Sequence, residues 1–147
     1  MAGRLTMWGA QQLLTTYFTQ GSVPPATFYL ALVRAIPPTP YMDGSELDEP
    51  TSVDYARVPI ANDLANWSND SQPQEISNIL PQTFTTATED WGRINYWALT
   101  DSQVDGNNFI VGDLENPVMI MAGDQAAFEE GDISATLGPF FLQDDDS

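Results

Sequence analysis

Residues 83–99, with the sequence TFTTATEDWGRINYWAL, constrain the fold of this chain more than any other segment. Threonine and aromatic residues, which favour strands, fill both halves of the run, and acidic residues followed by Trp-Gly separate them. The pattern predicts two strands joined by a turn, as a hairpin at the centre of a β-sheet. The run contains no Cys, His or Lys. It therefore indicates a segment that buries or presents surface and carries out no chemistry.

One helix is expected ahead of the strands. Apolar residues at positions 7, 10, 14, 17 and 18 recur at helical spacing and predict a helix over residues 5–19. Strands are predicted at 27–34, 53–60, 75–80, 82–87, 92–100, 109–112, 118–121, 125–129 and 133–137, with a hairpin turn at 101–108 and a break at Pro117. The expected fold is mainly β: an antiparallel β-sandwich or partly closed barrel with one N-terminal helix.

The length of 147 residues suits a single domain, 1–147, with its own core. Two segments fall outside the regular pattern. Residues 35–52 form a long loop rich in proline and acid, and a loop of this length is either a contact surface or mobile. Residues 138–147 form a tail that is first apolar and then acidic.

Composition excludes several classes of function. Cysteine, histidine and lysine are absent, which removes disulfides, thiolate catalysis, Schiff bases, P-loops and the commonest general base. The net charge of −17 opposes binding to nucleic acid or to an anionic membrane surface. It favours solubility, with a basic protein partner as the alternative. We therefore expect no enzyme, no catalytic residue and no cofactor.

Two acidic turns are candidate sites. In Asp90-Trp91-Gly92 we expect the carboxylate to accept hydrogen bonds from nearby amides, the glycine to permit the turn and the ring to pack over the sheet edge. The alternative is a ligand-binding turn. Asp101, Asp105 and Asn107 resemble a calcium loop only loosely, because their order does not match the EF-hand template. A hairpin turn is favoured there, with Ca²⁺ as the alternative.

The remaining candidates are apolar surfaces for a partner. The helix offers one apolar face, and an apolar triplet near the C-terminus needs to be covered. Trp67 lies in a polar stretch and is expected to be exposed, whereas Trp97 is expected to be buried. The alternative for both surfaces is packing on the chain's own sheet. The partner-contact candidates are Met7, Trp8, Leu14, Phe18, Trp67, Phe140, Phe141 and Leu142.

The order of these segments resembles a family of small tailed-bacteriophage virion proteins, whose members include tail-fibre, minor tail and head-decoration proteins. The resemblance rests on PATFYLAL at 25–32, YARV at 55–58, FTTATEDWGRI at 84–94, PVMIMAGD at 117–124 and GDI at 131–133. It covers roughly residues 5–137. The acidic loop at 35–52 is longer than the family pattern, and the tail at 138–147 extends beyond it.

The resemblance implies a non-enzymatic protein on the exterior of a tailed-phage particle, assembled in the host cytoplasm. It implies a homo-oligomeric protein present in many copies and bound to capsid or tail proteins. Because the chain shows neither a fibrous stalk nor a repeat, we favour capsid decoration, with a tail-fibre or tail-tip subunit as the alternative. A third hypothesis is a carbohydrate-binding adhesin that uses Trp67 or Tyr41 as a stacking surface.

Overall fold

The computed structural model describes residues 2–35, 44–69 and 74–137. Within these residues the chain forms one α-helix, a short 3-10 helix at Gly44–Glu46 and ten strands. The helix is α1 (Met7–Phe18), as predicted to within two residues. The strands are β1 (Ala2–Leu5), β2 (Thr27–Val33), β3 (Val58–Ala61), β4 (Trp67–Ser68), β5 (Glu75–Asn78), β6 (Gln82–Thr86), β7 (Gly92–Thr100), β8 (Asn108–Ile120), β9 (Gln125–Phe128) and β10 (Ser134–Thr136).

Eight of these strands form one curled sheet in the order β3-β2-β7-β8-β1-β10-β5-β4, and β6 and β9 pair separately. Neighbours are antiparallel except for β1 and β10, which run parallel. β3 and β4 are the two edge strands of this sheet. They are connected by a hydrogen bond from the Trp67 indole N–H to the Ala61 carbonyl, at 3.1 Å. The predicted class is confirmed: the fold is mainly β and curled towards a barrel, with one N-terminal helix.

The core lies inside the curl and takes apolar residues from both sheets. Leu30 and Leu32 of β2 and Ile94, Trp97 and Leu99 of β7 are at most 3% exposed, as strands with neighbours on both sides require. Phe84 and Phe128 bring the small second sheet against this core, with ring centroids 6.3 Å apart. The largest fully buried apolar side chains are Trp91, Trp97, Phe84, Leu30, Leu32, Ile60, Ile94, Ile133 and Val33.

The prediction that residues 83–99 form a central hairpin is wrong, because their first strand, β6, does not pair with β7. β7 is an interior strand of the large sheet, but β6 pairs with β9. The chain between them crosses from one sheet to the other, held where the Ala87 amide donates to the Asp124 carbonyl at 2.8 Å and the Trp91 amide donates to Ile120 at 2.8 Å. The hairpin that does form joins β7 to β8 across the predicted turn at 101–108.

The predicted break at Pro117 is also wrong, because β8 runs through it. Ile94 of β7 pairs with Val118 of β8, and Tyr96 of β7 pairs with Asp113 of β8. These pairs are two residues apart on β7 but five apart on β8, so β8 contains three extra residues between them. Pro117 lies in this bulge, where its missing N–H removes no ladder hydrogen bond. Two short strands, β1 and β4, were not predicted; β4 holds two residues, too few for a periodic signal.

Candidate functional site: helix α1 and the groove beneath it

Helix α1 is fixed to the sheet at its N-terminus by Thr6. The Thr6 hydroxyl accepts a hydrogen bond from the Gly9 amide at 2.9 Å and donates to the Asn108 carbonyl at 2.6 Å. The first contact caps the helix and the second joins it to β8. Since β1 leads directly into Thr6, the helix starts at the end of a paired strand and its orientation is set by the sheet.

The side of α1 that faces the sheet carries small and polar residues together with Leu13, which is half-buried. Gly9 is buried, and a β-carbon at this position would lie 2.3 Å from the Phe109 carbonyl oxygen. Gln12 and Thr16 are half-buried and lie on the same side of the helix. The close approach at Gly9 therefore determines which side of α1 turns inward.

The opposite side is apolar and faces solvent. Positions 7, 14 and 18 fall on one stripe at 3.6 residues per turn. Met7, Leu14 and Phe18 are 49%, 59% and 82% exposed, and the neighbouring Tyr17 is 82% exposed. This arrangement reverses the usual amphipathic helix, whose apolar stripe faces the core. We call Met7, Leu14, Tyr17 and Phe18 the α1 face. In the part of the chain that the structure describes, all four side chains are open to solvent.

Trp8, which the sequence grouped with these residues, lies elsewhere on the helix. It is half-buried, and its ring meets Phe109 edge-on with centroids 6.4 Å apart. It lines a groove between α1 and the open end of the curled sheet, which we call the α1 groove. The cavity is about 500 Å³ and its lining is mostly apolar. Besides Trp8, the lining includes Leu13, Val23, Phe28, Trp67, Ile76 and Phe109.

The expectation that Trp67 is exposed is wrong. Trp67 is 8% exposed, and its ring meets the ring of Phe28 edge-on, with centroids 6.2 Å apart. Polar neighbours in sequence predicted exposure, but β4 pairs with β5 and turns the ring into the barrel. Trp97 is fully buried, as predicted. With Trp67 buried, the sequence-based argument for a sugar-stacking surface at this residue no longer holds.

The Asp90-Trp91-Gly92 segment forms part of the crossing between the sheets. The Asp90 carboxylate accepts a hydrogen bond from the Ala122 amide at 2.9 Å, and Gly92 has a φ of +93° that favours glycine. Trp91 is 2% exposed, so it lies in the core and not over the sheet edge. Its indole N–H donates to the Asp54 carboxylate at 3.2 Å.

Asp54 is a polar anchor that sequence reasoning missed. Its carboxylate accepts hydrogen bonds from the Ser52 hydroxyl, the Thr88 amide and the Trp91 indole. The Ser52 bond contributes most, and together these bonds hold the Asp54 pKa well below its ordinary value of 3.8, because they favour the charged form. The four residues join the loop before β3 to the crossing before β7. No local pattern in the sequence marks Asp54 as different from other acidic residues.

A second missed cluster is built around Arg57. Its guanidinium makes a two-pronged ion pair with Glu49, at 3.0 and 2.7 Å, and its side chain is 3% exposed. It also donates to the carbonyls of Ser102 and Asp105, at 2.8 and 2.9 Å. Arg57 thereby ties the acidic loop to the β7–β8 turn.

Tyr55 completes this cluster. Its hydroxyl donates to Glu49 at 2.6 Å and accepts from the Leu32 amide at 3.0 Å. Burial, followed by the Glu49 charge, raises the Tyr55 pKa, so the hydroxyl stays protonated. In both clusters the charged groups are engaged in hydrogen bonds that hold loops in place, which gives them a structural role.

The turn at 101–108 is also held by the carboxylate of its own Asp101. Asp101 accepts hydrogen bonds from the amide and side chain of Asn107, at 2.7 and 3.1 Å. Asp105 offers its carbonyl to Arg57. Among residues 2–35, 44–69 and 74–137, no group of three or more acidic side chains could hold a metal ion, and no helix is long and apolar enough to cross a membrane.

Several predictions lie outside the described residues. These are the triplet Phe140, Phe141 and Leu142 with the rest of the tail at 138–147, Tyr41, and the middle of the acidic loop. Of the loop at 35–52, residue 35 and residues 44–52 are described; there Leu47 is buried, and Asp48 pairs with Arg34 at 2.7 Å.

Comparison with known proteins gives one family. The family model for Gp80, described as podophage GP4 fiber I protein gp80, matches residues 4–136, which is almost the entire chain. No curated protein matches the chain. The matched segment contains α1, the groove beneath it and both polar clusters.

Proposed function

The chain belongs to the podophage GP4 fiber I protein family, and we propose that it is a non-enzymatic fibre subunit that binds a neighbouring virion protein through the α1 face. Its family identifies it as a phage virion protein assembled in the host. The observation that carries the proposed mode of attachment is the outward apolar stripe of α1. Large exposed apolar side chains that lie next to one another mark a protein contact surface.

The energetics of the α1 face suit a protein contact. Tyr17 and Phe18 are each 82% exposed, so most of their apolar area is available to be removed from water. Covering such area contributes about 25 cal/mol per Å², and aromatic anchors at the centre of an interface carry much of the binding energy. The helix is rigidly held at Thr6 and Gly9, so little order has to be gained on binding.

A fibre position is preferred to capsid decoration, the placement first favoured from the sequence. The printed description of the matching family names a fibre protein. Several copies per particle, in a homo-oligomer, suit a surface of this kind, because a symmetric assembly can cover the α1 face of each copy. Nucleic acid and anionic membrane are not proposed as partners, since the chain carries a net charge of −17.

The absence of an enzymatic role is supported by where the charged groups lie. Glu49, Asp54 and Arg57 are engaged with side chains and backbone of their own chain. The α1 groove has a mainly apolar lining, and Asp101 is the single carboxylate among the described residues that line it. General acid–base chemistry on a glycan needs two carboxylates across a cleft, and the described groove does not supply them.

Imaging of assembled particles tests the placement. A particle carrying this chain with an epitope tag, labelled and viewed by electron microscopy, should show label on projecting fibres. Label spread over the capsid lattice would overturn the fibre placement and support decoration.

A matched pair of variants tests the surface. Leu14→Gln with Phe18→Gln should abolish incorporation into particles, because the apolar anchors are lost while the charge is kept. Val53→Gln with Leu64→Gln removes two apolar side chains that are 95% and 92% exposed but lie outside the α1 face, and should leave incorporation unchanged. Equal incorporation of both double variants would remove the α1 face from the proposal.

A further inference from the structure

The α1 groove is an open apolar cavity at the end of the barrel where α1 begins. Its wall includes Trp8 and Leu13 from the helix, Phe28 and Phe109 from the sheet, and Ile76 from β5. Trp8 is half-buried and Ile76 is 37% exposed, so both rims of the groove are accessible. A cavity of about 500 Å³ lies within the size range of pockets that hold ligands.

The strand directions bring the chain's C-terminal side to this groove. β10 runs parallel to β1, with Ala2 opposite Ser134 and Gly3 opposite Ala135. β1 continues through Leu5 into α1, so β10 ends at the same end of the barrel. Leu137 follows β10 and is the last described residue. Its amide donates to the carbonyl of Gln74 at 2.9 Å, and Gln74 lies two residues before the groove-lining Ile76.

The sequence that follows Leu137 has a composition that fits the groove. Gly138 and Pro139 come first, and a proline has no N–H to donate to a strand ladder. Phe140-Phe141-Leu142 is the apolar triplet, and Asp144-Asp145-Asp146 follows it. Phe140 is three residues beyond Leu137, which gives a reach of about 10 Å, enough to enter the adjacent groove.

We infer that the α1 groove is the docking site of the chain's own residues 138–147, with the apolar triplet inside and the three aspartates in solvent. A short connection from Leu137 makes the effective concentration of the triplet at its own groove high, which favours the same chain over a second copy. The α1 groove and the α1 face share Tyr17, but Leu14 and Phe18 of the face do not line the groove. The contact does not depend on the fibre role, because it is tested on the purified protein without other virion proteins.

The test compares two triple variants of the full chain. The serine variant replaces the apolar triplet by Phe140→Ser, Phe141→Ser and Leu142→Ser. The asparagine variant keeps the triplet and changes only the acidic residues of the same tail, by Asp144→Asn, Asp145→Asn and Asp146→Asn. Backbone amide exchange in α1 is measured for each. The Trp8 emission is taken as the difference between each protein and its Trp8→Phe counterpart, which removes the signal of the three buried tryptophans.

The serine variant should lose roughly tenfold or more of the amide protection in α1, and its Trp8 emission should shift to the red, since the groove opens to water. The asparagine variant should match the parent in both measurements. A synthetic peptide of residues 138–147, added in excess to the serine variant, should restore protection. Circular dichroism establishes that the serine variant is folded before the comparison is made.

Two outcomes would overturn the inference. Unchanged protection and emission in the serine variant would show that the triplet does not occupy the groove. A parent protein that sediments as a dimer and becomes monomeric only in the serine variant would place the triplet in a second copy. Neither outcome affects the incorporation assay on the α1 face, so the two proposals fail independently.

Discussion

The indole ring of Trp97 lies so close to Gly112 that a β-carbon on the glycine would be 2.2 Å from Cε2 of the ring. The two residues are directly opposed on β7 and β8. Gly3, the next residue across on β1, is also close: a β-carbon there would be 2.7 Å from Cη2 of the same ring. Two glycines on neighbouring strands thus make the space for one fully buried tryptophan.

Gly112→Ala should therefore destabilise the protein by about 1–3 kcal/mol or more, because the ring cannot be moved without disturbing the core. Gly123→Ala is the comparison, since a β-carbon at 123 meets nothing within 4 Å and the φ of +95° alone opposes it. Urea unfolding followed by tryptophan fluorescence measures both. A smaller loss for Gly112→Ala than for Gly123→Ala would contradict the packing argument.

Removal of the buried arginine should be costly. Arg57→Met removes the guanidinium that pairs with Glu49 and donates to two turn carbonyls, and breaking a buried ion pair costs about 3–5 kcal/mol. Arg34→Met removes an ion pair whose side chains are 36% and 45% exposed, and should cost under about 1 kcal/mol. Thermal unfolding of the two variants measures the difference, and similar losses would contradict the assigned role of Arg57.

Asp54 predicts an acid-dependent contribution to stability. Its pKa is lower in the folded protein than in the unfolded chain, so its contribution is complete above the unfolded value and is lost as the pH falls through the folded value. The free energy of unfolding of Asp54→Asn should differ most from the parent above about pH 4, and the two should converge at lower pH. Denaturant unfolding between about pH 2 and 6 checks this.

Asp113→Asn, an exposed position on β8, is the control for the loss of one negative charge in such an acidic chain. A constant difference between Asp54→Asn and the parent over the whole range would show that the Asp54 hydrogen bonds do not favour the charged form.

The two sides of α1 should respond in opposite ways to substitution. Leu14→Gln with Phe18→Gln should change the unfolding free energy by less than about 1 kcal/mol, because both side chains are exposed in the single chain. Gly9→Ala should destabilise strongly, although alanine favours helices, because its β-carbon would lie 2.3 Å from the Phe109 carbonyl. Chemical unfolding of purified protein measures both, and a stable Gly9→Ala would mean that the inward side is wrongly assigned.

Trp67→Phe tests the closure of the sheet. The substitution retains an aromatic ring against Phe28 but removes the hydrogen bond to the Ala61 carbonyl, at a cost of about 1–3 kcal/mol. Amide exchange should rise in β3 and β4, the two edge strands that this bond connects. Faster exchange elsewhere with β3 and β4 unchanged would contradict a role in joining the edges.

Part of the candidate site was accessible from the sequence. The spacing of Met7, Leu14 and Phe18 defined an apolar stripe on a helix whose limits were right to within two residues. It left open whether that stripe packs inward or outward. Trp67 shows the converse: its polar neighbours predicted exposure, and pairing between β4 and β5 buried it. The Asp54 and Arg57 clusters were missed because their partners lie far apart in the chain.

The sequence by itself determined the class of the fold, the helix limits, the interior strands β2 and β7 and the family, because these depend on local periodicity and on motifs of adjacent residues. Only the tertiary structure decided that β6 leaves the large sheet, that β8 passes through Pro117 in a bulge, and that the apolar stripe of α1 faces outward. The physical reason is that each of these depends on a close approach between distant segments. At α1 the deciding approach is that of Gly9 to the Phe109 carbonyl. Phe109 lies far from the helix in sequence, so the pattern of the twelve helical residues cannot reveal this contact.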